Sequence, residues 1–224
     1  MEKISVKNIV EFRRKSERSR ITFINNLKKP KKETDVKAEG GGDYWITASS
    51  AIGSYFKFDD KEVIANKIED VVNRRDKSAA TISKNMFQKN ISLLHSFEDF
   101  DFSDLKPATD LIYLSKPDII LKIKDINVQI RPSYVYSFKE NDIDRVGAIW
   151  FVTKLNGFDL NEIALFTDAL HRCVKNKYKK HKIDPDYCIA IDLMSRRYVT
   201  YTQIQNKEIK SELESTLGTI RKLV

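Results

Sequence analysis

Between Lys116 and Ser133 the chain reads KPDIILKIKDINVQIRPS, a stretch whose polar residues fall at a spacing that suggests chemistry. Pro117-Asp118 precedes one apolar run and Gln129-x-Arg131 ends the next, with ten residues between Asp118 and Gln129. A guanidinium such as that of Arg131 can hold a phosphate, but it stays protonated and cannot act as a base. Two basic runs offer phosphate contacts of another kind. Arg13, Arg14, Arg18 and Arg20 lie in a segment, 13–20, that has no apolar residue. Lys175, Lys177, Lys179, Lys180 and Lys182 cluster where a helix is predicted to end. Cations there also suit the helix dipole, and charge runs are commonly just solvated faces.

Other candidates are weaker. Glu98, Asp99, Asp101 and Asp104 put four carboxylates in seven residues, but the glycine of a calcium loop is missing, so an exposed turn with two buried Phe fits better. His95, His171 and His181 are far apart, and no pair has metal-ligand spacing. No serine sits in a G-x-S-x-G elbow, no dinucleotide glycine fingerprint is present, and Gly40-Gly41-Gly42 lacks the Lys-Ser/Thr of a phosphate loop. Cys173 and Cys188 form no C-x-x-C and read as buried core thiols of a reducing compartment.

The elements that must position these residues follow from periodicity. Ser5 can cap a first helix whose apolar stripe (Val6, Ile9, Val10) is interrupted by 13–20 and resumes at Ile21, Ile24 and Leu27. One helix with a polar middle and two short helices both fit. Residues 28–42, lysine- and glycine-rich, read as a linker. A helical segment spans 47–97, with Thr47 as a candidate cap, an Asp59/Glu62 capping box and Ser83 capping a third helix. After Pro107 short apolar runs predict strands at 111–114, 119–123, 128–131 and 146–152. Asp159 and Glu162 form a capping box for a helix over 159–177, followed by strands at 187–193 and 198–204 and a final helix capped by Asn206. The expected fold class is α+β or α/β, a mixed central sheet flanked by helices with a mainly helical N-terminal part. The domains read as a basic helical extension and linker (1–42), a helical segment packing on the core (43–106) and an α/β core (107–224).

Pro117-Asp118, the ten-residue gap and Gln129-x-Arg131 resemble the PD-(D/E)XK nuclease superfamily, whose signature is Pro-Asp, a variable gap and then Asp/Glu-x-Lys. The resemblance covers about residues 83–204. It implies a restriction-endonuclease-like core: a helix, a three-stranded meander, a helix and a further strand. It also implies that Asp118 is a magnesium ligand and that Gln129 and Arg131 complete the catalytic site. This sequence departs from the pattern at both later positions. An amide stands where a carboxylate is expected, and an amide oxygen is a poor partner for hard Mg²⁺. An arginine stands where lysine is expected. In the family the Asp opens the second strand and the Glu-x-Lys lies on the third. Either 111–114 is then the first strand and 146–152 is extra, or Asp118 opens the first strand and Gln129-x-Arg131 falls on the wrong one.

Bulk properties allow a nucleic-acid partner without requiring one. The net charge is +8, and both ends are basic: residues 1–42 hold 12 cations against 6 anions, residues 111–224 hold 19 against 14, and the middle is mildly acidic. No apolar run approaches the ~20 residues of a membrane span, and no signal peptide is apparent, so a cytoplasmic location is expected. Two functions from different classes follow. The first is a nuclease-like, catalytically impaired domain that contacts nucleic acid through its basic patches, with magnesium as cofactor if the site is active. The second is a protein-interaction or homo-oligomerisation module with no nucleic-acid role, in which Trp45, Trp150 and the aromatic loop serve as anchors.

Overall fold

Ser5 ends a two-residue strand, β1 (Ile4–Ser5), and caps α1 (Val6–Arg13), its hydroxyl accepting from the Asn8 N–H at 3.2 Å. The polar segment then breaks the helix, and α2 (Glu17–Lys28) starts afresh. Two helices, not one, therefore carry the arginines. The computed structural model describes residues 1–29, 44–115 and 117–224, so most of the predicted linker, and Lys116, lie outside the described residues.

The chain divides into two compact units, Met1–Lys32 with Leu105–Val224, and Glu33–Asp104. The N-terminal helices, expected as an extension, thus belong to the α/β unit, where Ile4, Val6, Ile9, Val10, Phe12 and Ile24 join its core.

The helical unit holds α3 (Ile46–Phe58), α4 (Glu62–Lys77) and α5 (Thr81–His95). Its predicted caps differ from those observed. Trp45, Lys61 and Ala80 stand at the N-caps in place of Thr47, Asp59 and Ser83. Asp59 is instead the left-handed C-cap of α3 (φ 56°), and Asp60 accepts from the Glu62 N–H at 2.9 Å. The amide of buried Asn90 ties the unit together, accepting from the Ala48 N–H and donating to the carbonyls of Tyr44 and Met86. The aromatic loop packs inward. Phe97 and Phe102 are buried, and the Tyr55 hydroxyl donates to the Phe100 carbonyl at 2.8 Å.

The α/β unit has two mixed sheets, and the fold class is α+β. β3 (Ile119–Ile123) and β4 (Ile126–Ile130) form a hairpin, with β1 parallel to the outer edge of β4. The second sheet has β2 (Ile112–Tyr113), β5 (Tyr134–Glu140), β6 (Ile143–Val152), β7 (Lys182–Asp192) and β8 (Tyr198–Thr200) in that order. Both hairpins turn on two residues with positive φ, Lys124-Asp125 and Asn141-Asp142, the backbone a tight hairpin demands. At the bulge in β6, a Cβ on Gly147 would lie 2.7 Å from the Tyr136 ring and 2.9 Å from Tyr187, so no other residue fits there without movement.

β6 and β7 are parallel and are joined by α6 (Leu160–Lys177), which opens on the predicted capping box. Every residue from Glu162 to Leu170 is buried, more than the one-sided stripe in the sequence implies. The helix packs on Val135, Val146 and Ala148 of the larger sheet, and it also shares a core with β1, β4 and α1. The end of the chain differs from expectation. The strand predicted over 198–204 stops at Thr200, whose hydroxyl forms a capping box with Gln203 and starts α7 (Tyr201–Gln205). Asn206 closes that helix and caps no other; α8 (Leu213–Arg221) begins seven residues later and buries Leu213, Leu217 and Ile220.

Candidate nucleic-acid interface

The hairpin register sets Ile119 opposite Ile130 and Ile120 opposite Gln129, which brings Asp118, Gln129 and Arg131 to one end of the smaller sheet. Their side chains meet. Gln129 Nε2 donates to Asp118 Oδ1 at 3.2 Å, and Arg131 Nε and Nη2 donate to Oδ2 at 3.1 and 3.0 Å. The Arg131 hydrogen bonds, then that from Gln129, hold the Asp118 carboxyl below its ordinary range. The pair is a surface one, with side chains 58% and 64% exposed.

A magnesium ion does not fit this cluster. Both Asp118 oxygens face donors, one of them a cation, and the second position offers an amide N–H in place of an anionic oxygen. Among the described residues, no three His, Cys, Asp or Glu side chains are grouped so as to hold a metal ion. The hairpin also lies off the sheet that carries the helix crossover, since β6, not β4, leads into α6. β5 is preceded by Pro132-Ser133. Ser133 faces β6, donating its N–H to the Ile149 carbonyl at 3.0 Å and accepting from the Phe151 N–H at 2.9 Å.

The arginine run is largely absorbed by the fold. Arg14 forks onto Glu162 and donates to the Gly157 carbonyl at 3.0 Å. Arg13 pairs with Glu212 at 2.9 Å. Arg20 donates to the carbonyls of Phe12 and Arg13 and lies over the Phe12 ring. These three arginines, with Glu162, Glu212 and Ser215, Thr216 and Thr219 of α8, line a polar cavity of about 420 Å³. Burial pushes the Glu162 carboxyl up. The Arg14 hydrogen bonds, the Asp159 N–H and the nearby charges of Arg14 and Lys154 more than offset that, and the net shift is downward. Arg18 is exposed and carries no ion pair among the described residues.

The lysine run lies in solvent. Lys175, Lys177, Lys179, Lys180 and Lys182 are all exposed, and none enters an ion pair among the described residues. They straddle the end of α6 and the turn into β7. Two rings lie among them. Tyr178 leaves the helix as its C-cap, and its hydroxyl donates to the Ser115 carbonyl at 3.0 Å. His181, exposed, meets it edge to face with centroids 6.0 Å apart.

The remaining candidates have local roles. His95 pairs with Glu98 at 2.8 Å. His171 stacks on Tyr201 at 3.5 Å, and burial takes its pKa down to about 4. Both cysteines are buried, and burial pushes the Cys173 thiol up to about 12. Trp45 is buried and Trp150 packs edge-on against Phe166, so neither stands out as an exposed anchor. Asp192 has a structural role that its place after the second Pro-Asp pair, Pro185-Asp186, does not suggest. Asp192, fully buried, accepts from the N–H groups of Phe158, Met194 and Ser195 and from the Ser195 hydroxyl. It pins the loop whose Gly157 carbonyl Arg14 grips. The Asp-x-x-Ser spacing at 192–195 was the available signal.

The chain matches no protein-family model, no curated protein and no solved structure. No helix among the described residues is long and apolar enough to cross a membrane.

Proposed function

We propose that this chain is a nuclease-like domain without a working catalytic set, which contacts nucleic acid through the lysine corner at the end of α6. The observation that carries the contact surface is that corner itself: five exposed lysines in eight residues, without carboxylate partners among the described residues, on a protein of net charge +8. Arg18, exposed and without an ion pair among the described residues, is the member of the arginine run that can add to it.

The order of elements supports the nuclease-like part. An antiparallel hairpin, a crossover helix and a parallel strand follow one another as β5, β6, α6 and β7. With β5 and β6 taken as the second and third strands, Pro132-Ser133 occupies the Pro-Asp position, and the facing residues are Ala148-Ile149-Trp150. A hydroxyl, a methyl and an indole then stand where the superfamily has two carboxylates and a lysine. The Ser133 hydroxyl is already engaged by Phe151, and Trp150 is packed on Phe166. The Asp118 cluster does not replace them, because Arg131 and Gln129 occupy its carboxylate.

Titration with labelled DNA and RNA over a salt series tests this reading. Binding that weakens steeply with salt, with intact strands after incubation in magnesium, is the expected result. Absence of binding at low salt refutes it. Magnesium-dependent cleavage that vanishes in Asp118→Ala refutes the loss of catalysis. The protein-interaction reading has one observation of its own: Ile46, Phe58 and Ile82 of the helical unit are 61%, 64% and 84% exposed. A stable oligomer that binds no nucleic acid would favour it.

A further inference from the structure

The lysine corner is not uniformly cationic, and its rings narrow the class of nucleic acid it suits. Tyr178 and His181 fall between the lysines: Lys175, Lys177, Tyr178, Lys179, Lys180, His181, Lys182. Tyr178 is held at two points. Its backbone N–H donates to the Val174 carbonyl at 2.8 Å, and its hydroxyl donates to Ser115 at 3.0 Å. The His181 N–H donates to the Tyr178 carbonyl at 3.0 Å, and the two rings meet at 83°. The exposed imidazole thus stands on a closed backbone turn, beside a ring that is itself held.

We infer that this corner binds single-stranded nucleic acid, with a base stacked on the His181 ring and the flanking lysines on the phosphates. This rests on the lysine corner being the contact surface. A duplex keeps its bases stacked on one another and offers a lysine cluster only its phosphates, so the rings would add nothing to duplex binding. An unpaired strand exposes base faces, and aromatic side chains set among cations are the usual platform for them.

The test uses the full chain and fluorescein-labelled DNA of about 16 nucleotides, the upper end of the site size of one single-strand module, as a mixed-sequence single strand and as the matching duplex. At equal salt the single strand is expected to bind about tenfold more tightly. His181→Ala is expected to lose most of that preference, by about tenfold as for loss of one base stack, while leaving duplex affinity unchanged. His181→Phe, which keeps an aromatic face, is expected to restore it. Replacing the five lysines by Gln weakens both ligands together. Equal affinity for the two forms, or a His181→Ala variant that binds the single strand as well as the parent, overturns the single-strand inference and leaves the nucleic-acid reading standing. Failure of both ligands to bind at low salt overturns both.

Discussion

Arg13–Arg20 and Lys175–Lys182 look alike as sequence, yet the fold treats them in opposite ways. The arginines sit where α1, α6 and α8 converge, and three of the four are taken by Glu162, Glu212 and backbone carbonyls. The lysines sit around the end of α6, exposed, and have no carboxylate partners among the described residues. The side chains help to explain the division. A guanidinium is a planar fork with five donors and weak hydration, well suited to a partly buried carboxylate. An ammonium is a strongly hydrated point charge that is better left in water. Cationic runs of equal density are thus tied into the fold as a brace in one place and left in solvent in the other.

The comparison is most exposed to test at the lysines. Changing all five to Gln should reduce the slope of log affinity against log salt by about 4.5 on duplex DNA, at ~0.9 per phosphate contact, and should lower affinity on the order of a hundredfold at moderate salt. The melting temperature of that variant should stay within about a degree or two, since exposed charges contribute little to stability. If it unfolds, the corner is part of the brace after all.

The brace should fail from either side. Asp192→Ala leaves three backbone N–H groups without their acceptor, at a cost of about 3 kcal/mol or more, which a denaturant titration would show as a lower midpoint. Glu162→Gln removes the charge that Arg14 grips. A cost of about 2 kcal/mol is expected, below the value for a fully buried pair because the Arg14 side chain is a third exposed. Nucleic-acid affinity of the folded Glu162→Gln protein should be unchanged. A large change in affinity there would move the contact surface toward the arginines.

Acid should separate the two regions as well. The Glu162 carboxyl titrates below its ordinary 4.5 in the folded chain. Its contribution to stability is thus complete above about that ordinary value and is lost as pH falls through the lower folded one. Glu162→Gln should flatten this part of the acid limb in a pH series of thermal melts. The lysine-to-Gln variant should keep it.

The smallest effect is expected at Asp118. Its partners hold it from the surface, where ion pairs are screened, so Asp118→Asn should leave the melting curve essentially in place and nucleic-acid binding unaltered. Isothermal titration with magnesium should show no heat that this substitution removes.

Much of the local structure was legible because its causes are local. The β3 span of 119–123 follows from its apolar run and the turn after it, and α6 from a capping box and a regular stripe. The error at 198–204 was local too. Tyr-Val-Thr-Tyr-Thr-Gln-Ile has high β propensity, and it hid a Thr200/Gln203 capping box in plain view. The convergence of Asp118, Gln129 and Arg131 could be anticipated, since a hairpin fixes which residues face one another. That Arg131 would neutralise the carboxylate instead of sharing a site with it depended on rotamers and exposure.

The sequence alone therefore determined the helices with strong stripes, the hairpin, the absence of familiar catalytic motifs and the two reservoirs of positive charge. The tertiary structure decided which reservoir is available. Arg14 meets its carboxylate 148 residues further along the chain and Arg13 meets its own 199 residues away. Charge pairing over such distances depends on the packing of α1, α6 and α8, which no local pattern encodes. The lysines have no distant partner among the described residues, and their exposure follows from their place around the end of α6.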